Sequence, residues 1–141
     1  MKLPASKAYK GPMFQVIDKA KREGRWNSDI FLGIISAKYG FLRDNDEIEY
    51  YDMRMTTILS KQHNLNVIKA IKKWQMEEKF DLIYILMGKN YLGAVAGIEG
   101  QLSTEIVIQN MGGLGIGQRK LKNLIDKYSK VNSSSALYVN G

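Results

Sequence analysis

The sequence predicts an α/β fold, a three-layer sandwich in which a mainly parallel sheet of about four strands is flanked by helices. Three observations carry this. Apolar residues recur with a helical period in three segments, continuous apolar runs of strand length lie between them, and the two kinds of segment alternate along the chain.

The elements follow in order. In "GPMFQVIDKAKREG", Met13, Val16, Ile17 and Ala20 are spaced i, i+3, i+4, i+7; Pro12 suits a first helical turn and Gly24 ends the helix. "DIFLGII", Asp29 to Ile35, is apolar throughout, as a strand covered on both faces requires. From about Thr56 to Lys79 runs a longer helix, with Leu65, Ile68, Ile71 and Trp74 expected inward and Lys61, Lys69, Lys72 and Lys73 mostly outward. "DLIYILM" (Asp81 to Met87) is a second buried strand. A short helix and a third strand, "STEIVIQ" (Ser103 to Gln109), come next. Leu121, Leu124, Ile125 and Tyr128 make one face of a last helix, expected to begin after "GGLGIG" and rimmed by Arg119, Lys120, Lys122 and Lys127. The segment 131–141 is either a frayed tail or an edge strand over Ala136 to Val139. No repeat or linker interrupts the chain, so residues 1–141 are expected to form one domain.

Composition narrows the function. The chain has 141 residues, 45% of them hydrophobic, which is enough to bury a core without a disulfide or metal. It has no cysteine, which removes disulfides, thiolate zinc sites and thiol nucleophiles, and fits a cytoplasmic location. The single histidine, His63, makes no multi-histidine metal site and is expected on a helix surface. No metal and no cofactor are expected. No apolar stretch reaches the ~20 residues of a membrane span. Twenty-one Lys and Arg against fourteen Asp and Glu give a net charge of +7, a field that favours nucleic acid or a phosphorylated ligand.

In open α/β sheets, ligands sit beyond the carboxyl ends of the strands. The three predicted strands are followed by "SAKYGF", "GKNYLG" and "NMGGLGIGQRK", each a glycine with a polar or charged set. Ser36, Lys38 and Tyr39 bring two hydroxyls and a cation to the first strand end; Gly88, Lys89, Asn90 and Tyr91 follow the second. Gly113, Gly115 and Gly117 lead into a helix whose first amides would face an anion, with Gln118 and Arg119 as further donors. The turn lacks the Gly-Lys-Ser/Thr ending of a phosphate-binding Walker loop. The acidic run "GFLRDNDEIEYYD" fails as a calcium loop, since Glu49 stands at the sixth position and Met55 at the twelfth. It divides instead into a solvated tip (Asp44, Asp46, Glu47) and a functional end, where Tyr51 offers a stacking face and Asp52 an acceptor. Asp52 is expected to turn inward beside Lys38, and these two are the candidate catalytic pair.

These loops resemble a known family. "ISAKYGFLRDNDEIEYYDMRM" is similar to the signature "LSAKYGLL…D-x-x-I-x-P-Y-D" of an uncharacterised domain family related to the peroxide-stress protein YaaA. "YILMGKNY" and "GGLGIGQRKLKNL" resemble its second and third motifs. The likeness runs from "LPASKAYKGPMF" to Leu124. It places Ser36, Lys38, Tyr39, Gly40, Glu49, Tyr51, Asp52, Gly88, Tyr91, Gly113, Gly115 and Gly117 at the family's motif positions. Tyr50 stands where the family usually has Pro. The family also begins with a strand ahead of its "PAxxLY" segment, so that first strand is expected to be missing here. The resemblance implies a fold similar to the uracil-DNA glycosylase type and an association with DNA.

Three functions are therefore in view. The first is binding of nucleic acid, or of a nucleotide or phosphate, at the strand ends. The second is an enzyme acting on a nucleoside or modified base. The third is a structural subunit completed by another chain, a homo-oligomer included. The sequence does not choose between DNA, RNA and free nucleotide, nor does it name a reaction.

Overall fold

Two faces of apolar residues on each buried strand demand helices above and below. The computed structural model, which describes residues 1–130 and 133–141, packs helices against these strands. In chain order the elements are β1 (Leu3–Pro4), α1 (Ala5–Ala8), α2 (Pro12–Arg22), β2 (Ile30–Ser36), β3 (Gly40–Arg43), β4 (Glu47–Ile48) and α3 (Thr57–Glu78). Then come β5 (Leu82–Met87), two 3₁₀ turns (Leu92–Val95 and Ile98–Gly100), β6 (Glu105–Asn110), α4 (Leu114–Tyr128) and β7 (Ser135–Asn140). The fold is mixed α/β, with a mostly parallel sheet in the order β3-β2-β7-β5-β6. Only β3 runs antiparallel, against β2; β1 and β4 form a separate two-stranded ribbon.

Alternation along the strands sorts the core into two clusters. Leu32 and Ile34 of β2, Leu86 of β5 and Leu137 and Val139 of β7 pack with Met13, Phe14 and Ile17 of α2 and Leu121 and Ile125 of α4. Ile35, Ile83, Ile85, Ala136 and Tyr138 pack instead with Val67, Ile71 and Trp74 of α3. Burying side chains of this size stabilises the fold by roughly 1.5–3 kcal/mol each. Thr56 caps α3 by accepting the Leu59 amide at 3.1 Å, and Lys79 closes it in the left-handed region at φ 53°. Glycine interrupts the apolar run of β2 for a steric reason. Gly33 is paired with Tyr138, and a Cβ there would meet the Tyr138 ring at 2.5 Å.

Four sequence expectations need correction. The sheet has five strands, not four. The final segment is neither frayed nor an edge: β7 occupies the centre, parallel to β2 and β5, and residues 131 and 132 of the expected tail lie outside the described residues. β7 thereby joins the two halves of the sheet. The last helix begins at Leu114, before Gly115 and Gly117, because tertiary packing overrides glycine's poor helix propensity. Leu65 points outward: the α3 phase is set by Val67, Ile71 and Trp74, and Leu65 lies on the other side.

Candidate functional site

Ser36 ends β2 fully buried, and its Oγ accepts the backbone amides of Lys38 at 3.2 Å and Tyr39 at 3.0 Å. From α3, His63 Nε2 reaches the Ala37 carbonyl at 2.7 Å, so the "SAKYG" turn is held from both sides. His63 is therefore a loop anchor and only partly a surface residue. The Tyr39 hydroxyl sits between the amide and carbonyl of Glu49, at 3.3 and 3.4 Å, and ties the turn to the acidic run.

Above this turn three hydroxyls form a chain. Tyr51 Oη is 2.9 Å from Ser36 Oγ and 2.7 Å from Tyr9 Oη. Its proton order follows from counting lone pairs. Ser36 Oγ spends both on the two amides, so its own proton goes to Tyr51. Among the described residues Tyr51 then has one acceptor for its proton, Tyr9 Oη, and the Tyr9 proton is left facing the cleft. Burial pushes the Tyr9 hydroxyl well above the ordinary phenol range, which keeps it a donor. The Tyr9 ring stacks on Phe14 at 5.3 Å and meets Tyr51 edge-on at 6.2 Å.

Two clefts open at this end of the sheet. The first, about 320 Å³, is walled by Tyr9, Tyr51 and Tyr91, with Lys10, Glu49 and Asp52 at its lip. The second, about 440 Å³, is lined by Lys89, Asn90, Tyr91, Asn110, Gly112 and Asn140. Tyr91 is common to both. Its hydroxyl donates to the Gly141 carbonyl at 2.9 Å, and burial, with Tyr51 nearby, raises its pKa. The Asn64 amide of α3 steadies the following 3₁₀ turn through the Gly93, Ala94 and Ala96 carbonyls. Beyond the second cleft, Gly112 turns the chain at φ 74°, a conformation suited to glycine, and α4 begins. The α4 amides of Leu114, Gly115 and Ile116 have no carbonyl a turn earlier in the helix, and Gly113 supplies no side-chain cap.

The predicted residues are thus partly gathered. Tyr51, Asp52 and Tyr91 line the first cleft, Ser36 is buried beneath Tyr51, and Tyr39 meets Tyr51 edge-on at 5.7 Å. Gly88, Lys89, Asn90 and Tyr91 line the second, and Gly113 follows its Gly112 wall. Others have different work. Gln118 donates to the Pro12 carbonyl at 3.2 Å, joining α4 to α2, and Gly117 is buried under Met111. Gly115 and Arg119 are exposed. The expected Lys38–Asp52 pair is not formed: both side chains are exposed, and the Lys38 ammonium lies over the Tyr39 ring at 5.2 Å. The acidic tip is more structured than expected: the Asp44 and Asp46 carbonyls accept the amides of Ser6 and Ala5, and the Asp46 carboxylate accepts the Arg43 amide at 2.8 Å. Sequence reasoning missed Tyr9, Lys10 and Asn140. The first two lie in the "LPASKAYK" segment, whose tyrosine was the available signal. Among the described residues, no cluster of His, Cys, Asp and Glu could hold a metal ion, and no helix is long and apolar enough to cross a membrane.

Residues 1–124 match the model of a family of unknown function, DUF6884. The chain belongs to this family. The DUF6884 match takes in both tyrosine loops and the glycine turn and ends before β7. It carries no link to YaaA or to uracil-DNA glycosylase. Neither the curated proteins nor the solved structures include a match to the chain.

Proposed function

We propose that this protein binds a nucleotide unit, free or within a nucleic-acid strand, across the two clefts. One observation carries the reading: an aromatic cleft and a cleft lined by Lys89 and the side-chain amides of Asn90, Asn110 and Asn140 adjoin at the carboxyl ends of parallel strands and share Tyr91. A base fits among Tyr9, Tyr51 and Tyr91, where the Tyr9 proton and the Glu49 and Asp52 carboxylates offer a donor and acceptors. The phosphate falls towards Lys89 and the uncapped start of α4. The net charge of +7 supports an anionic ligand, and the lack of cysteine supports a cytoplasmic setting. Helix residues in both core clusters support the three-layer reading. The motif likeness to the YaaA-related family and its glycosylase-type fold is an analogy in the same direction.

The test is calorimetry with nucleosides, their monophosphates and a short single-stranded oligonucleotide. Monophosphates should bind more tightly than nucleosides. Tyr91→Ala should weaken both, and Lys89→Ala should remove only the advantage of the phosphate. No heat with any probe, or affinities unchanged by Tyr91→Ala, overturns the proposal.

The hydroxyl chain favours a second reading, an enzyme acting on a nucleoside or modified base. Tyr9 would give its proton to the leaving base heteroatom, with the Tyr51 hydroxyl holding the phenolate. The water that Asp52 positions at the lip would add its hydroxide to the sugar carbon as the bond to the base breaks and return its proton to Tyr9. Chromatographic detection of a free base released from nucleoside or oligonucleotide, lost in Tyr9→Phe, separates this from binding alone.

A further inference from the structure

At 100° per residue, Ile58, Leu65 and Met76 fall within about 20° of one another on α3. The buried residues Val67, Ile71 and Trp74 lie on the opposite side of the helix. Ile58, Leu65 and Met76 are 72%, 83% and 78% exposed, so α3 carries a second apolar stripe that no described residue covers. It runs about 27 Å, five turns of helix. Lys61, Lys69, Lys72 and Lys73 lie within about 60° of the same line. No α3 carboxylate lies on that face, and among the described residues none of the four lysines is ion-paired, although half-buried Lys72 donates to Gln101 Oε1 at 3.2 Å.

This interleaving decides between occupants. A second copy of the face would bring four lysines against four lysines. A phosphate backbone would answer the lysines and leave three large aliphatic side chains in water. A lipid surface would take the apolar side chains, but these are three in about five turns, with Lys69 and Lys72 between Leu65 and Met76, a sparser apolar face than a helix lying in a membrane surface buries. A helix that sets aliphatic side chains against Ile58, Leu65 and Met76 and Glu or Asp against the lysines between and beside them satisfies both components at once. We infer that the outer face of α3 is a docking surface for an acidic amphipathic helix of a partner protein. It stands apart from the strand-end clefts and does not depend on what they bind.

The probe is a fluorescein-labelled three-heptad peptide with leucine at a and d and glutamate at e and g, titrated with the full chain at low salt and followed by anisotropy. Saturable binding is expected, mapped by amide NMR shifts to residues 58–76. The double variant Leu65→Ser/Met76→Ser should weaken it at least about tenfold. These side chains are exposed, so the variant should keep its Tm. Lys69→Glu/Lys73→Glu should abolish binding and confer binding of the same peptide with lysine in place of glutamate. Failure of the peptide to bind, or binding indifferent to both double variants, overturns the inference. So does tighter binding of anionic phospholipid vesicles or of a single-stranded oligonucleotide that is lost in Leu65→Ser/Met76→Ser.

Discussion

Ser36 Oγ and Tyr51 Oη lie 2.9 Å apart at the carboxyl end of β2, and Ser36 is the donor because both of its lone pairs are taken by backbone amides. One buried hydroxyl therefore fixes the shape of a turn and the direction of a chain of protons. Ser36→Ala should cost about 1–3 kcal/mol by stranding two amides and Tyr51. Tyr51→Phe should cost less, because it leaves the two amide bonds in place. Urea denaturation of the two variants checks the order; equal losses would show that the turn does not rest on Ser36.

Tyr138 is fully buried, and among the described residues its hydroxyl has no hydrogen-bond partner. Tyr138→Phe should raise stability by about 1 kcal/mol, since it removes an unmet polar group and keeps the stacked ring. The same residue makes the fold sensitive to alkali. Burial holds Tyr9, Tyr91 and Tyr138 above the ordinary phenol value near 10, so the unfolded chain loses these protons first. Stability should stay level below that value and fall above it, by up to about 1.4 kcal/mol per pH unit for Tyr138. Half-open Tyr9 and Tyr91 should contribute less. Thermal melts from pH 8 to 12 in wild type and Tyr138→Phe measure it; identical slopes would be the contrary result.

Gly115 and Gly33 should respond in opposite directions. Gly115 is helical, and beyond its chain neighbours and its own helix backbone no described atom lies within 4 Å of where a methyl group would stand, so Gly115→Ala should stabilise by about 0.5–1 kcal/mol. Gly33→Ala would press a methyl into the Tyr138 ring and should cost about 1–3 kcal/mol. Differential scanning calorimetry of both variants decides.

Asp44→Ala should leave ligand affinity untouched. Asp52→Ala should lower it while changing stability by no more than about 0.5 kcal/mol, because the side chain is exposed at the cleft lip and forms no ion pair among the described residues. A stability loss without a change in nucleotide affinity would return Asp52 to the scaffold.

If the ligand is a nucleic-acid strand, affinity should fall with salt. For about four phosphate contacts the slope of log K against log salt should be near −3, and Lys89→Ala should make it shallower by about one contact. A flat salt profile in a fluorescence titration would restrict the ligand to a single nucleotide.

Periodicity made six elements legible: α2, β2, α3, β5, β6 and α4 all stand close to where the apolar spacing puts them. The carboxyl-end rule then pointed to the end of the sheet where the two clefts open. What failed was long-range. Ala136 to Val139 is too short a run to distinguish a central strand from an edge one, since centrality depends on partners about 50 and 100 residues away in sequence. Tyr9 lies 42 residues from Tyr51, and no local pattern announces their contact. Leu65 is misleading because Leu65, Ile68 and Ile71 also follow a helical spacing; only packing shows that Val67 belongs to the buried face and Leu65 does not.

The central place of β7 has a consequence during synthesis. β7 is made after the other four strands of its sheet, yet it alone joins β2 to β5. Until Asn140 leaves the ribosome, the nascent chain holds β3–β2 and β5–β6 as separate ribbons, each with an unpaired edge facing the other. Such edges attract any passing strand, and pairing across so much sequence is slow. A chain cut ahead of Ser135 would therefore hold sticky, unjoined halves in place of a slightly weakened sheet, and the demand for chaperones should last until β7 has been made.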